Sequence, residues 1–346
     1  MNYSPLAYLA LFLFSALFVG LLTPRIRKIA IKRKIFDTPD SAHKSHKEPV
    51  PYLGGIAIII GVVGITFTAT LFSNPDLLPL VAGVLVPSIF LGAIGLIDDL
   101  IDLSPWPRFI AQSLAGTAVA FILIQTNTVG SPTGSRALDI AITVLFLVGL
   151  SNSVNFFDNI DGGASGTVAI SALFLSILSY SSEQYYISAI SAVVAGGTFG
   201  FLKWNISPAR IYMGDAGALF LGILIATLTL RFDPNPIYLS ASFALPILLL
   251  AVPILDTSVA VISRLRRRIS PFQGGQDHLS HRLMRAGLSK RQAVLSLWII
   301  SSFYCLIAIA ISNAPFDLER ALTGIAGIIW LLMLALFLRT PDTAKD

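Results

Sequence analysis

Stretches of about twenty apolar residues, nearly free of charge, follow one another through this chain, near 4–22, 52–72, 77–97, 108–125, 137–154, 164–181, 184–202, 216–231, 237–262, 292–312 and 319–338. A helix crossing the hydrocarbon of a bilayer needs roughly 20 such residues. In lipid only helices and closed barrels satisfy their own backbone groups. The pattern therefore predicts an all-α, polytopic integral membrane protein of about eleven transmembrane helices. Charged residues make up 12% of the chain, against about 25% in soluble domains. No polar stretch is long enough for a soluble domain, so residues 1–346 read as one transmembrane domain. The longest polar segments, 23–51 and 263–291, read as loops. Breaks between runs carry turn residues, as at Ser73-Asn74-Pro75-Asp76, Gly130-Ser131-Pro132, Asp233-Pro234-Asn235-Pro236 and Asn313-Ala314-Pro315. The single cysteine, Cys305, lies in an apolar run and excludes an intrachain disulfide.

Of the 24 Lys and Arg residues, all but Arg136, Arg231 and Arg320 fall in one set of alternate loops and in the C-terminal tail. Basic loops stay in the cytoplasm. The bias puts the N-terminus outside and the C-terminus in the cytoplasm of a multi-pass cell (plasma or inner) membrane protein. The net charge of +5 is then a topology signal, and nucleic acid is not an expected partner. The run 4–22 is long and is followed by a strongly basic segment, so it reads as an uncleaved first helix rather than a signal peptide.

The polar chemistry sits in the same alternate loops. Asp98-Asp99 ends the third run and Asp102 follows; Asp98 and Asp102, four apart, would share a helix face. Such acids can hold a divalent cation, position a cationic group, act as a base, or simply be a solvated helix end. The run Asn152–Gly166 packs Asn152, Asn155, Asp158, Asn159 and Asp161 into ten positions. Asn152, Asn155 and Asp158 form a stripe at three-residue spacing, and Gly162, Gly163 and Gly166 would let the backbone turn and approach a ligand. Asp215, in Met213-Gly214-Asp215-Ala216-Gly217, would either cap the next helix or ligate a metal. His278 and His281, with Arg282 and Arg285 beside them, suit a phosphate or sugar-phosphate better than zinc, because their neighbours are cationic. Lys44, His46 and Lys47 precede Pro49-Val50-Pro51 and Gly54-Gly55 and read as loop charge or an anion site. Arg264, Arg266, Arg267 and Arg268 read as an orientation and lipid-headgroup anchor. Asp256 is the one acid inside the ninth run, and an intramembrane acid is a functional candidate by default.

In this order, the motifs resemble the polyprenyl-phosphate N-acetylhexosamine-1-phosphate transferase family (glycosyltransferase family 4). The resemblance runs from His43-Lys44-Ser45-His46-Lys47, Pro51 and Gly54-Gly55 through Asp98-Asp99, Asn155-x-x-Asp158-Asn159-Ile160-Asp161-Gly162, Asn205 and Tyr212-Met213-Gly214-Asp215-Ala216-Gly217 to Pro253-Ile254-Leu255-Asp256-Thr257 and His278-x-x-His281-Arg282. Ser270-Pro271-Phe272 looks most like the branch that moves GlcNAc-1-phosphate to undecaprenyl phosphate. The resemblance implies that a UDP-sugar and a polyprenyl phosphate react, with Mg²⁺ or Mn²⁺, to give polyprenyl-diphosphate-sugar and UMP on the cytoplasmic face. It implies Asp215 and Asn155 as metal ligands, with Asp98, Asp99 and Asp158 as catalytic acids around the lipid phosphate and pyrophosphate. It implies Asn205, Tyr212, Asp161 and Lys47 at the nucleotide, and Arg108, His278, His281 and Arg282 at phosphates or sugar. Three departures bear on detail: Ser280 where a third histidine is common, Asp161-Gly162-Gly163 for Asp-Gly-Leu, and Arg108 for lysine. Ser280 leaves open another UDP-sugar or UDP-MurNAc-pentapeptide. A homodimer is a further expected assembly, and a non-catalytic scaffold and, from a different class, a secondary transporter with midplane acids are the remaining alternatives.

Overall fold

The structure is a computed structural model that describes residues 4–37, 49–125, 133–233, 239–271 and 275–340. Helices dominate it: α1 (Pro5–Arg33), α2 (Gly54–Ser73), α3 (Leu78–Ile101), α4 (Pro105–Gln125), α5 (Arg136–Phe157), α6 (Gly163–Ser181), α7 (Tyr185–Asn205), α8 (Gly214–Arg231), α9 (Leu239–Leu249), α10 (Ala251–Arg266), α11 (Leu279–Arg285), α12 (Lys290–Ser312) and α13 (Phe316–Arg339). The only strands among the described residues, β1 (Phe36–Asp37) and β2 (Val50–Pro51), pair antiparallel. Among the described residues ten helices are long and apolar enough to cross a membrane, and α9 with α10 makes an eleventh if taken as one broken span. This is an all-α multi-pass membrane protein.

Three boundaries differ from the hydropathy reading. The ninth run is not one helix: α9 and α10 meet at an 82° bend. Pro246 lies inside α9. Pro253 sits in the first turn of α10, where a missing N–H breaks no helical bond. The first helix does not stop near residue 22 but continues through Pro24 to Arg33. At 1.5 Å per residue its 29 residues make a rod of roughly 44 Å, longer than a hydrocarbon core of about 30 Å. Its basic end packs inward: Arg27 Nε donates to Arg210 O at 2.8 Å, and Trp204 Nε1 donates to Gly20 O at 2.9 Å. The 263–291 segment also holds the short helix α11 rather than loop alone.

Helix α8 is the axis of the bundle. Nearly all its residues are buried, against α3 and α5 above all. Small residues permit the close approaches. A Cβ on Gly95 of α3 would lie 2.3 Å from Asp215 O, and one on Gly222 would lie 2.8 Å from Ser151 Cα on α5. On the far side α1 seats against α7 at Gly196 and Gly200, where an added Cβ would lie 2.1 Å from Phe12 O and Ala16 O. Close backbone contact between small residues is how helices associate without a hydrophobic drive in lipid. The outward faces of α1, α4 and α13 are large exposed apolar side chains such as Leu13, Leu17, Leu114, Leu331 and Leu332, as a lipid-facing surface requires.

Candidate active site

The segment from Asn155 to Gly162 links three polar groups: the acids around Arg108, the loop before α8, and α10 with α11. It is the last turn of α5 and the turn into α6, with Asp158 just past the helix end and Gly162 at φ +77°. A left-handed residue lets the chain reverse here, and glycine takes that conformation without strain.

On one side of this hub lie the acids. Asn155 Nδ2 donates to Asp215 Oδ1 at 3.0 Å. The Arg108 guanidinium, from the first turns of α4, donates to Asp215 Oδ2 at 2.8 Å and to Asp98 Oδ2 at 2.5 Å. Asp98 is buried and also accepts from Leu103 N at 2.7 Å. Asp99 takes both of its bonds from the start of α8, Oδ1 from Asp215 N at 2.8 Å and Oδ2 from Ala216 N at 3.1 Å. The helix cap that the sequence offered to Asp215 is thus supplied by Asp99, from a different helix. Gly214, at φ +73°, makes room for it, since a Cβ there would lie 2.6 Å from Asp99 Oδ2. The Tyr52 hydroxyl donates to Asp99 O; nothing in the sequence singles Tyr52 out beyond its place before Gly54-Gly55.

Asp158 completes the group. Partial burial and the carboxylates of Asp215, Asp99 and Asp161 push it well above the usual carboxylate range. Among the described residues it is the one acid of the four whose carboxylate receives no hydrogen bond. Among the described residues the one cation bonded to these four acids is Arg108, which bridges Asp98 and Asp215. Ionised together they would carry a negative charge in excess of that cation, which a divalent ion would neutralise. The donor set fits Mg²⁺, which takes one or two protein carboxylates and completes its octahedron with water and substrate phosphates. No group of three or more His, Cys, Asp or Glu side chains among the described residues forms a protein-only metal cage, as such a shared site does not need.

A second arm of the hub reaches the loop before α8. Asp161 Oδ2 accepts from Ala209 N at 3.1 Å and hydrogen-bonds the half-buried Tyr212, whose phenol burial and that carboxylate push up. Asn205 accepts from Gly162 N at 3.1 Å and Ser165 Oγ at 2.7 Å, and donates to Ile211 O at 3.2 Å. It is 1% exposed, a brace between loops rather than a side chain presented to a base. Tyr212 N donates to Pro51 O at 3.0 Å, tying this loop to β2. Lys47, with His43, Lys44, His46 and Phe272, lies outside the described residues.

The third arm reaches α10 and α11. Ser280 Oγ donates to Asn159 Oδ1 at 2.6 Å. Asp256 holds the start of α11, accepting from Leu279 N at 2.7 Å and lying 2.7 Å from His278 Nδ1. His278 Nε2 is 3.2 Å from Arg264 Nη2. A guanidinium only donates, so Nε2 accepts and Nδ1 carries the hydrogen given to Asp256. His281 is buried beside His278, and that burial lowers its pKa to about 4.

Several sequence expectations change here. Asp98 and Asp102 do not share a face: Asp102 is past the helix end at φ 52° and exposed, while Asp98 is buried. Asn152 pairs with Gln112 in a reciprocal amide contact between α5 and α4, at 2.6 and 3.3 Å. Gly166 admits the Trp298 indole, 2.3 Å from its notional Cβ, rather than a ligand. Arg264 is not a headgroup anchor. It is 2% exposed and forks onto Asp277 at 3.0 and 2.8 Å. Burial opposes the Asp277 charge, but Arg264 prevails and holds that acid below its usual range. A sequence signal existed, because Arg264 lies two i,i+4 steps from Asp256, on the same helix face. Arg282 is turned away from any ligand. It is 1% exposed and donates to Asp277 O at 3.0 Å, Phe337 O at 2.8 Å, Thr340 O at 2.5 Å and Ser263 Oγ at 2.5 Å. It clamps α11 to the end of α13. Ser280, fully buried, likewise faces the protein.

Residues 81–233, α3 through the end of α8, match the family described as Glycosyl transferase family 4. That stretch contains the acid cluster, Arg108 and the loop before α8. The "Probable undecaprenyl-phosphate N-acetylglucosaminyl 1-phosphate transferase" of Bacillus subtilis is 32% identical over 308 residues, 88% of this chain and 84% of that protein. The "Decaprenyl-phosphate N-acetylglucosaminephosphotransferase" of Mycobacterium tuberculosis H37Rv is 31% identical over 341 residues, covering 87% and 82%. A "Phospho-N-acetylmuramoyl-pentapeptide-transferase" of Halalkalibacterium halodurans is 26% identical over 320 residues, covering 86% and 94%. With acids, arginine and amides converging at one end of a membrane bundle, this kinship places the chain in glycosyl transferase family 4, among the polyprenyl-phosphate N-acetylhexosamine-1-phosphate transferases.

Proposed function

We propose that this enzyme transfers GlcNAc-1-phosphate from UDP-GlcNAc to undecaprenyl phosphate at the cytoplasmic face of the plasma membrane, with Mg²⁺ as cofactor. The observation that carries the reading is the four-acid cluster around Arg108, at the end of the bundle where the basic loops lie. An oxygen of the lipid phosphate attacks the sugar-bearing β-phosphorus. A new P–O bond forms, the bond from the β-phosphorus to the bridging oxygen breaks, and UMP leaves with that oxygen. The lipid phosphate carries about −1.5 to −2 at neutral pH and is already nucleophilic. The protein's task is to bring two polyanions together and to meet the charge on the transferring group.

Asp215, with Asn155 beside it, would hold the Mg²⁺, whose charge offsets that of the pyrophosphate. Asp158, the uncommitted acid, is placed to take a proton from a singly ionised lipid phosphate. Asp98 and Asp99 act on this centre through their partners, one orienting Arg108 and the other fixing the start of α8. Arg108, about a third exposed, can turn a nitrogen to an incoming phosphate. Tyr212 would stack on the uracil, and Lys47 would contact the nucleotide. Asp256 bears on the transporter alternative: it is bound to His278 and the start of α11 rather than free for a transported ion.

The test is UMP release by purified protein supplied with Mg²⁺, undecaprenyl phosphate and a panel of UDP-sugars. Release with UDP-GlcNAc alone supports the assignment. Release only with UDP-MurNAc-pentapeptide or another UDP-sugar overturns the sugar, and release with none overturns the reaction.

A further inference from the structure

A cavity of about 880 Å³ opens at the other end of the bundle, between α1, α2 and α7, and Arg231 lines it. Arg231 is the last residue of α8 and Asp215 is near its first, so the two are roughly 24 Å apart along the axis. The cavity therefore shares nothing with the acid cluster. Its walls are mostly apolar, with Leu11, Phe14, Ala69 and Val193 among them.

Arg231 is 5% exposed, and its Nε and Nη2 are buried with no hydrogen-bond partner. The Tyr186 hydroxyl, on the same wall and within electrostatic reach of Arg231, is also buried and unpartnered. Glu183 lies at the exposed rim and makes no ion pair with Arg231. Gln184 is committed to the end of α8, exchanging hydrogen bonds with the backbone of Asp233. An arginine at a span end ordinarily extends its head to the interface and stays wet. This one is folded into the wall of an apolar cavity. A buried cation without a counter-charge is among the most unfavourable groups in a protein interior, so the site requires an anion. The apolar walls require that the anion bring a hydrocarbon chain.

We propose that this cavity binds one anionic phospholipid, its phosphate held by Arg231 and the Tyr186 hydroxyl and an acyl chain lying along α1, α2 and α7. The site is independent of catalysis. Arg231 is one of only three basic residues on this face by the alternate-loop reading, so the lipid is bound by fit rather than by general surface charge. A bidentate guanidinium–phosphate contact with a donor hydroxyl beside it also selects a phosphate monoanion over a zwitterion, whose ammonium would meet Arg231.

The test is native mass spectrometry of the full-length protein, delipidated in detergent and titrated with phosphatidylglycerol or phosphatidylcholine, alongside melting curves. Wild type should retain one phosphatidylglycerol per chain and melt about 3 °C or more higher with it. Arg231→Gln should retain at least tenfold less, and phosphatidylcholine should show no difference between the two. Ala69→Trp fills the acyl path without touching Arg231 and should lose the same lipid, so it decides the matter if Arg231→Gln does not fold. Glu183→Gln should leave retention unchanged or raise it. Equal retention by wild type, Arg231→Gln and Ala69→Trp would overturn the proposal. So would inorganic phosphate alone giving the full melting shift, which would make this a free-anion site.

Discussion

Asp99 accepts a hydrogen bond from the backbone N–H of Asp215 at 2.8 Å, so one acid of the site fixes the position of another. Its second oxygen takes Ala216 N, and a carboxylate on two amides at a helix start is a cap. Asp99→Ala should lower stability by about 1–2 kcal/mol and abolish measurable UMP release. Asp99→Asn, which keeps one acceptor oxygen, should recover most of the melting temperature. If Asp99→Ala melts like wild type while losing all activity, Asp99 acts on the substrate directly and the cap is incidental.

Arg108 bridges Asp98 and Asp215. Removing it leaves Asp98 buried with its negative charge uncompensated. Arg108→Ala should cost about 1–3 kcal/mol, less than a fully buried pair because the guanidinium side chain is 32% exposed. Asp98→Asn in the same chain should recover part of that loss, giving a coupling energy in a double-mutant cycle of denaturant melts. Strict additivity of the two changes would rule the bridge out.

Asp158 has a raised pKa in the folded protein. An acid of that kind binds more protons folded than unfolded, so stability falls as pH rises from the unfolded carboxylate value, near 3.9, through the folded one. In EDTA, Asp158→Asn should melt higher than wild type at neutral pH, and the gap should close toward pH 4. A gap that is constant across that range would show that the Asp158 charge is not the cause.

Chelation should stop UMP release and Mg²⁺ should restore it. Mg²⁺ should also raise the melting temperature of wild type but not of Asp215→Asn, because the ion binds the folded site alone. A Mg²⁺-induced shift that survives in Asp215→Asn would move the metal to other acids.

Arg282 is buried and donates to three backbone carbonyls and Ser263. Arg282→Ala should destabilise by about 2–4 kcal/mol by leaving those acceptors unpaired, with KM for the UDP-sugar nearly unchanged. A tenfold rise in KM with unchanged melting would return Arg282 to the substrate.

Hydropathy alone yielded the spans because each span is a local property: about twenty residues must be apolar wherever the helix packs. It missed the bend at Leu249–Ala251, where an unbroken apolar run hides a change of direction. The acid motifs were legible as motifs, since dense Asp and Asn beside glycine in an apolar chain has few structural uses. Their partners were not. Asp99 and Asp215 are 116 residues apart, and Asn159 and Ser280 are 121 apart. Only the packing of α8 among α3, α5 and their loops brings them together. Charge type was equally ambiguous from sequence. Arg264 and Arg282 look like loop cations, and the fold turns both inward because Asp277 and open backbone carbonyls lie there to receive them. The sequence by itself determined a membrane-spanning helical chain whose reactive residues gather in alternate loops. The tertiary structure decided which of those residues face one another and which remain free for a ligand, because hydrogen-bond geometry is set by distances that only the folded bundle defines.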